Sequence, residues 1–521
     1  MRPPPHADRP GRRIGLRASQ CAAGLALAAL GLQIGERYIS RLPDHRGYFQ
    51  VSVPDHAPAL TPTRPRHTVL VVADGLGLAP ARGMHSADRL AAAGQCRATE
   101  VGPISVSRPV YAVISTGLEQ DRTGARNNDE TAPLAAESIW DVAQEAGLEV
   151  AGVSDVEWWR QLFPRGFDRY LTLPDDVDSF AAAQLADLTL IHVSNVDHNG
   201  HEHGGASPEY AAAVARVDAE LGRFLDRLDL TRDLVIFTAD HGHSATGGHG
   251  GPTPEINRVL TCLAGPGVAH TDESPQLLQS RSLAGTLAVL LGLRFPANMR
   301  AVEDDLDAIF TFVDERSMPP AYLADRRAAV ERFRAANQAS LTRWLGRPGT
   351  WSDLAAHHAQ GQALRAALVG LLVLAGFCLA ARLRRLGPRA ALGLAAGCLA
   401  VAAATALLHI IVLGSLDWTA INLRERYLRS APFICLAPAL LALLLHRWRL
   451  PGDGRQIADT LTLAALALAA LLGHIFVFGW PLGYPLPGPA LLLLPFLAAF
   501  FLIIHALLAT LLAALALARG R

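Results

Sequence analysis

Three stretches of this 521-residue chain hold carboxylates and imidazoles close together: V-V-A-D-G at 71–75, D-H-N-G-H at 197–201, and A-D-H-G-H-S-A-T-G-G-H-G-G at 239–251. With His203 just downstream they supply three aspartates and up to six histidines. That is more than one ion needs and enough for two. Asp and neutral His are the ligands zinc takes where no thiolate is offered. Paired ions a few Å apart are a common device of phosphoryl chemistry. The expected cofactor is therefore two Zn2+.

Each aspartate needs an element to deliver it. Residues 68–73, 188–194 and 234–239 are apolar runs of strand length. Runs apolar on both faces suit a parallel sheet covered by helices. Residues 208–228 repeat Tyr210, Val214, Val217, Leu221 and Phe224 at helical spacing, as a covering helix does. Ligands of such sheets gather at the carboxyl ends of the strands. Asp74, Asp197 and Asp240 all sit at or just after such ends. Three converging acids call for compensating positive charge, which a metal centre provides.

Composition narrows the alternatives. The formal net charge is zero, so nothing points to nucleic acid as a partner. The chain has no lysine, which removes Schiff-base chemistry and a lysine nucleophile. Its six cysteines include no C-x-x-C pair. Cys96 and Cys262 lie in the polar part and could pair if that part is exported.

Hydrophobicity is concentrated at the two ends. Residues 365–381, 390–414, 432–445, 457–480 and 487–518 each read as a membrane helix. Residues 18–34 form a weaker apolar run behind Arg9, Arg12, Arg13 and Arg17, read as a signal anchor in preference to a cleaved signal peptide. Arginine bias puts the N-terminus, the 382–389 loop, the 447–455 loop and the C-terminal tail in the cytoplasm. Arg424, Arg426 and Arg429 conflict with this, since their loop should be external. The expected organisation is an N-terminal tail and anchor at 1–40, an extracytoplasmic α/β catalytic domain at 41–315, a helical linker at 316–362, and a bundle of about five membrane helices at 363–521. This places the protein in the inner or plasma membrane. Its oligomeric state is not legible.

The ordered motifs resemble the alkaline phosphatase superfamily. They are Asp-Gly after the first strand, a hydroxyl residue in P-I-S-V-S-R-P-V-Y-A-V-I-S-T-G, then D-H-N-G-H-E-H-G, A-D-H-G-H and G-G-H-G. They most resemble the type I phosphodiesterase/nucleotide pyrophosphatase branch, and within it the glycosylphosphatidylinositol ethanolamine-phosphate transferases. The resemblance implies an alkaline-phosphatase-like, mostly parallel sheet. It implies one zinc site at Asp197, His201 and His249, and another at Asp74, Asp240 and His241. Ser107 is then the nucleophile, lying beside the second site as a ligand. A serine hydroxyl is a weak nucleophile at neutral pH, and a metal can stabilise its alkoxide.

Several residues stay open. Ser105 and Thr116 compete with Ser107 as nucleophile, and the S-R-P context favours Ser107. His203 and His243 exceed the ligand count and are expected to orient ligands or touch substrate. Arg108 either binds substrate phosphate or pairs on the surface. Asn127 and Asn128 are candidate phosphate donors. His409, His474 and His505 lie within apolar segments, where polar residues either serve function or join helices by hydrogen bonds. A sulfatase is disfavoured because Tyr111 stands where C/S-x-P-x-R requires arginine. The expected protein is a zinc-dependent phosphodiesterase or phosphoethanolamine-type transferase acting on a phosphodiester or lipid head group. The alternatives are a nucleotide pyrophosphatase or soluble-diester hydrolase with the helices as anchor only, and an inactive membrane scaffold or transporter.

Overall fold

A computed structural model describes residues 10–40, 52–129, 131–174, 177–270, 277–299, 308–421, 424–449, 453–479 and 489–519. Arg9, Trp480, Arg521, the first residues of the expected catalytic domain and the start of the 487–518 segment lie outside these. The chain divides into two compact units, Leu42–His357 and Met1–Arg41 with His358–Arg521.

The first unit is built on one eight-stranded sheet. Its strands are β1 (Thr68–Ala73), β2 (Gly94–Glu100), β3 (Val150–Ser154), β4 (Arg169–Thr172), β5 (Leu188–Val193), β6 (Leu234–Thr238), β7 (Arg258–Ala264) and β8 (Leu278–Gln279), in the order β4-β3-β5-β1-β6-β7-β2-β8. All pairings are parallel except those of β7 with β6 and β2. The expected mostly parallel α/β sheet is therefore present. Every residue of β1, β5 and β6 is buried, which is why these strands read as unbroken apolar runs. β1 lies between β5 and β6, with Val72 beside both His192 and Thr238. This adjacency brings the carboxyl ends carrying Asp74, Asp197 and Asp240 together.

The helix Pro208–Leu225 starts at Ser207, whose side chain accepts from the Tyr210 backbone N–H, with Pro208 in the first turn. It buries Tyr210, Val214, Val217, Leu221 and Phe224. Its Tyr210 hydroxyl donates to the Gly75 carbonyl at 2.7 Å, bracing the turn after Asp74. Gly75 takes φ +76°, and a Cβ there would lie 2.6 Å from the Asp197 Cα. Only glycine lets the two turns approach so closely.

The helix Pro320–Leu345 begins in the segment expected to be a linker. It instead forms part of the Leu42–His357 unit, with Tyr322, Leu323, Val330 and Phe333 in its core. Arg326 and Asp55 form a buried ion pair at 3.0 Å that holds it there. Cys96 and Cys262 face each other across β2 and β7 and are joined as a disulfide.

Among the described residues six helices are long and apolar enough to cross a membrane: Arg13–Tyr38, Ala356–Leu383, Pro388–Leu413, Arg426–Leu444, Arg455–Phe478 and Leu491–Ala518. The chain is thus of multi-pass membrane type. The helix Pro10–Ser40 packs on Pro489–Ala518, with Ala28 buried among Leu502 and Ala506. A Cβ at Gly24 would meet the Thr510 Oγ1 at 2.2 Å, so small residues allow the approach. Of the three intramembrane histidines, His474 Nε2 lies 3.4 Å from the Tyr38 hydroxyl of another helix. His505 Nδ1 bonds the Phe501 carbonyl of its own helix, and His409 Nδ1 bonds the Ser415 carbonyl.

Candidate metal centre

Asp74 follows β1 directly, Asp240 lies two residues past β6, and Asp197 occupies the first turn of Asn195–His203, the helix after β5. His201 sits one turn further along that helix, on the same face as Asp197. Ser107 opens the helix Ser107–Thr116, where free backbone N–H groups favour an anion.

Asp74, Asp240 and His241 form one group of donors whose ligand atoms lie within 4.8 Å of one another. His241 Nε2 is 3.3 Å from Asp74 Oδ1 and 3.3 Å from Asp240 Oδ2. Ser107 Oγ is also 3.3 Å from His241 Nε2. Each carboxylate is anchored through one oxygen. Asp240 Oδ1 accepts from the backbone N–H groups of Gly75 at 3.1 Å and His241 at 3.0 Å. Asp74 Oδ2 accepts from Tyr111 and lies 3.2 Å from His192 Nε2. The other oxygen of each, Asp74 Oδ1 and Asp240 Oδ2, is buried with no hydrogen-bond partner. Orphaned buried carboxylate oxygens are costly unless something positive meets them. A divalent cation between them fits that need, with Asp and His as its ligand types.

The second group gathers at Asp197. His201 Nε2 is 3.4 Å from Asp197 Oδ2, and His249 Nε2 is 3.9 Å from Asp197 Oδ1 and 3.1 Å from His201 Nε2. His243 Nε2 is nearer than either, 2.8 Å from Asp197 Oδ1. His243, expected to be surplus, is thus buried among the donors and forms a candidate ligand group with Asp197 and His201. The ring of His241 stacks on that of His249 at 3.7 Å between centroids.

Two of the imidazoles, His241 and His249, are prepared as neutral donors. His241 Nδ1 lies 3.2 Å from the Gly242 carbonyl and His249 Nδ1 lies 2.7 Å from the Ser105 carbonyl. A proton held there leaves each Nε2 with a free lone pair. Burial holds His241 down at about 4 and, with the neighbouring His241 and His201 rings, holds His249 well below its usual value. Burial first, then Asp74 and Asp197, push the Asp240 carboxyl well above the ordinary carboxylate range. Asp240, crowded by Asp74 and Asp197, thus has no cation of its own against its free oxygen.

The other expected residues divide. Asn128 donates from Nδ2 to Ser107 Oγ at 3.4 Å and accepts from the Arg108 backbone N–H at 3.0 Å. Arg108 is buried, donates to Gln161 at 2.6 Å and lies over the Trp158 ring at 4.8 Å, so it is not a surface pair. Ser105 donates to the Gly251 carbonyl and Thr116 to the Ala112 carbonyl, which leaves Ser107 as the hydroxyl at the candidate metal ligands. Asn127 bonds the Asp129 backbone. His203 is more than one-third exposed and lies 3.7 Å from Glu202.

Sequence reasoning missed the residues behind Asp74. His192, Tyr111, Asp155 and Ser154 form a buried polar cluster there. Burial alone would lower His192, but bonds to Asp155 and Asp74 raise it to about 9. Burial opposes ionisation of Asp155, yet the His192 and Ser194 bonds bring it down to about 2. A histidine inside an otherwise apolar buried strand was the available signal, since such a residue must find partners.

Residues 111–261 match the family described as type I phosphodiesterase/nucleotide pyrophosphatase. Asp197, His201, Asp240, His241 and His249 fall inside this stretch, whereas Asp74 and Ser107 lie ahead of it. The catalytic subunit of GPI ethanolamine phosphate transferase 3 from Homo sapiens is 27% identical over 216 residues, covering 38% of this chain and 20% of that protein. The catalytic subunit of GPI ethanolamine phosphate transferase 2 from Homo sapiens is 27% identical over 225 residues, covering 38% of this chain and 22% of that protein. The chain thus spans only about a fifth of the length of these relatives. Among solved structures, murine ectonucleotide pyrophosphatase/phosphodiesterase 5 aligns with a TM-score of 0.36 at 13% identity, over 44% of this chain and 95% of its own. A protein of the alkaline phosphatase superfamily from Vibrio parahaemolyticus aligns with a TM-score of 0.36 at 17% identity, over 51% of this chain and 76% of its own. Residues 111–261 therefore match the type I phosphodiesterase/nucleotide pyrophosphatase family, and the chain is similar in sequence to the GPI ethanolamine phosphate transferases.

Proposed function

We propose that this protein is a membrane-embedded, zinc-dependent phosphoethanolamine-type transferase that works through a Ser107 phospho-intermediate outside the cytoplasm. The observation that carries the reading is the convergence of Asp74 Oδ1, Asp240 Oδ2 and Ser107 Oγ on His241 Nε2, with both carboxylate oxygens buried and unpartnered. Asp74, Asp240 and His241 would hold one zinc beside Ser107. Asp197, His201 and His249 would hold the other, with His243 as a further donor. Bound zinc supplies positive charge that lowers the Ser107 hydroxyl pKa and stabilises charge on the phosphoryl oxygens.

The chain's own groups do the positioning. Ser107 Oγ attacks phosphorus, a Ser–O–P bond forms and the bond to the leaving alcohol breaks. Asn128 Nδ2, 3.4 Å from that oxygen, donates to a phosphoryl oxygen. The start of the Ser107 helix adds backbone N–H groups on the same side. An acceptor hydroxyl then attacks the phosphoserine and restores Ser107. The disulfide Cys96–Cys262 supports a location outside the cytoplasm, where such bonds persist. The arginine bias supports the same side. The sequence similarity to ethanolamine phosphate transferases supports a lipid head-group donor over a soluble nucleotide.

The test is to supply purified full-length protein with phosphatidylethanolamine, and separately with p-nitrophenyl phosphodiesters, and to identify the products. Diacylglycerol release with phosphoethanolamine on an acceptor alcohol is expected, and Ser107→Ala should abolish it while retaining bound metal. Release of free phosphoethanolamine alone would leave a plain hydrolase. Normal turnover by Ser107→Ala would remove Ser107 as nucleophile.

A further inference from the structure

The ligands of the two proposed metal sites sit on separate elements, yet one buried polar cluster touches a ligand of the first and the start of the helix that carries two ligands of the second. His192 is fully buried on β5, beside β1. Its Nε2 lies 3.2 Å from Asp74 Oδ2 and 2.7 Å from the Tyr111 hydroxyl, which itself donates to Asp74 Oδ2. On its other side, Nδ1 lies 2.8 Å from Ser154 Oγ and 3.4 Å from Asp155 Oδ1. Asp155 follows β3 directly. Its Oδ2 accepts from the Ser194 backbone N–H at 3.1 Å and from the Ser194 hydroxyl. Ser194 is the residue that opens the Asn195–His203 helix, the helix carrying Asp197 and His201. Tyr111 is held in turn by the Trp159 ring, stacked at 4.2 Å.

The geometry points to His192 and Asp155 as positioning residues that lock Asp74 and the Asp197 helix into one arrangement, so that both metal sites depend on them. The inference rests on the metal-centre reading proposed above. A carboxylate with two free oxygens can turn about its last bond. With Oδ2 held by Tyr111 and His192, Asp74 presents Oδ1 toward Asp240 and His241 in one orientation. Groups that orient ligands in this way change metal affinity by about 10- to 100-fold when removed. The Asp155–Ser194 bonds fix where the next helix starts. A shift there moves Asp197 and His201 together, because both ride on that helix. None of these residues lies in a metal-ligand motif, and none needs to touch substrate.

Three substitutions separate the arms. In His192→Gln the amide nitrogen can reach the place of Nε2 and keep a donor for Asp74. In His192→Asn the amide is shorter, reaches only the place of Nδ1 and keeps the Asp155 side. Asp155→Asn removes the charge on which the second arm rests. Full-length protein in detergent micelles would be titrated with zinc against a chromogenic chelator, which reads both affinities without any substrate. Trp140→Phe is the comparison, since Trp140 packs against Trp159 at 6.2 Å and touches neither ligand set.

His192→Asn is expected to weaken the Asp74 site by about 10- to 100-fold, and His192→Gln to restore most of it. Asp155→Asn is expected to weaken both sites. Trp140→Phe should lower the melting temperature and leave both affinities unchanged. If His192→Asn does not fold, Tyr111→Phe and Ser194→Ala each remove one hydroxyl and carry the same test for one arm. Wild-type affinity for both ions in Asp155→Asn and His192→Asn would overturn the inference. So would an equal loss of affinity in Trp140→Phe. Absence of bound zinc in the wild type would instead overturn the metal-centre reading itself.

Discussion

Replacing Asp240 with asparagine should move stability in two directions according to whether zinc is present. Asp240 is fully buried, and its Oδ2 has no hydrogen-bond partner. Its ligand atom and those of Asp74 and His241 lie within 4.8 Å of one another. Two negative charges at that limit repel by about 3.5 kcal/mol at an effective dielectric constant of about 20. Proton uptake by Asp240 in the ion-free chain already relieves part of this, so the expected gain for the ion-free Asp240→Asn protein is about 1–3 kcal/mol. With zinc the order of effects changes. An ion at about 1,000 times its dissociation constant adds about 4.1 kcal/mol to folding stability. A loss of about 100-fold in affinity, the upper end for a group merely behind a ligand, would cut that increment to about 1.4 kcal/mol. The assay is equilibrium urea unfolding of the full-length protein in micelles, followed by tryptophan fluorescence, in chelator and in zinc. The substitution should raise stability in chelator and shrink the zinc increment by about 2.7 kcal/mol. A loss of stability in chelator would mean that the carboxylate is held by the protein and not kept for a cation. An unchanged zinc increment would mean that Asp240 is no ligand.

Other outcomes follow from the same structure. Arg326→Met should destabilise the Leu42–His357 unit by about 3 kcal/mol in the same unfolding assay, because Asp55 stays buried and loses the closer-buried of its two arginine partners. The double change Cys96→Ser with Cys262→Ser should cost about 2–4 kcal/mol, since the bridge closes a loop across 166 residues of sequence. Export-dependent reporters fused near Gly346 should be active and those fused near Gly387 inactive, and the reverse pattern would put the catalytic unit in the cytoplasm.

The metal-ligand candidates were legible for a physical reason. Strands buried on both faces are apolar throughout, so an aspartate at the end of V-L-V-V-A or just past L-V-I-F-T stands out, and parallel pairing of β1, β5 and β6 puts those ends together. His192 was hidden because a lone histidine inside L-T-L-I-H-V has no spacing to another ligand. Asp155 obeys the same strand-end rule as Asp74, but V-A-G-V-S is short and contains glycine, so β3 did not read as a strand. The helix Pro320–Leu345 was read as a linker because its charges dominate its composition. Its buried face of Tyr322, Val330, Phe333 and Leu341 is interleaved with seven arginines and acids, one of which, Arg326, is itself in the core. His243 could not be told from the proposed ligands His241 and His249 by count alone. Its closeness to Asp197 depends on how the loop after β6 folds back, which periodicity does not encode.

The two halves of the membrane unit come from opposite ends of the chain. The helix Pro10–Ser40 is made well before the helix it packs against, Pro489–Ala518. During synthesis the earlier helix must wait until everything between the two has been made. Its small-residue face, Gly24, Ala28 and Gly31, stays open to lipid until Leu502, Ala506 and Thr510 arrive. The Leu42–His357 unit meanwhile has all of its strands in hand and can complete its sheet and disulfide. Biogenesis is thereby split into an early, self-contained step and a late closure that waits for the Pro489–Ala518 helix. A chain cut short before Pro489 would keep an intact candidate metal centre on a bundle whose Gly24, Ala28 and Gly31 face has lost its partner helix.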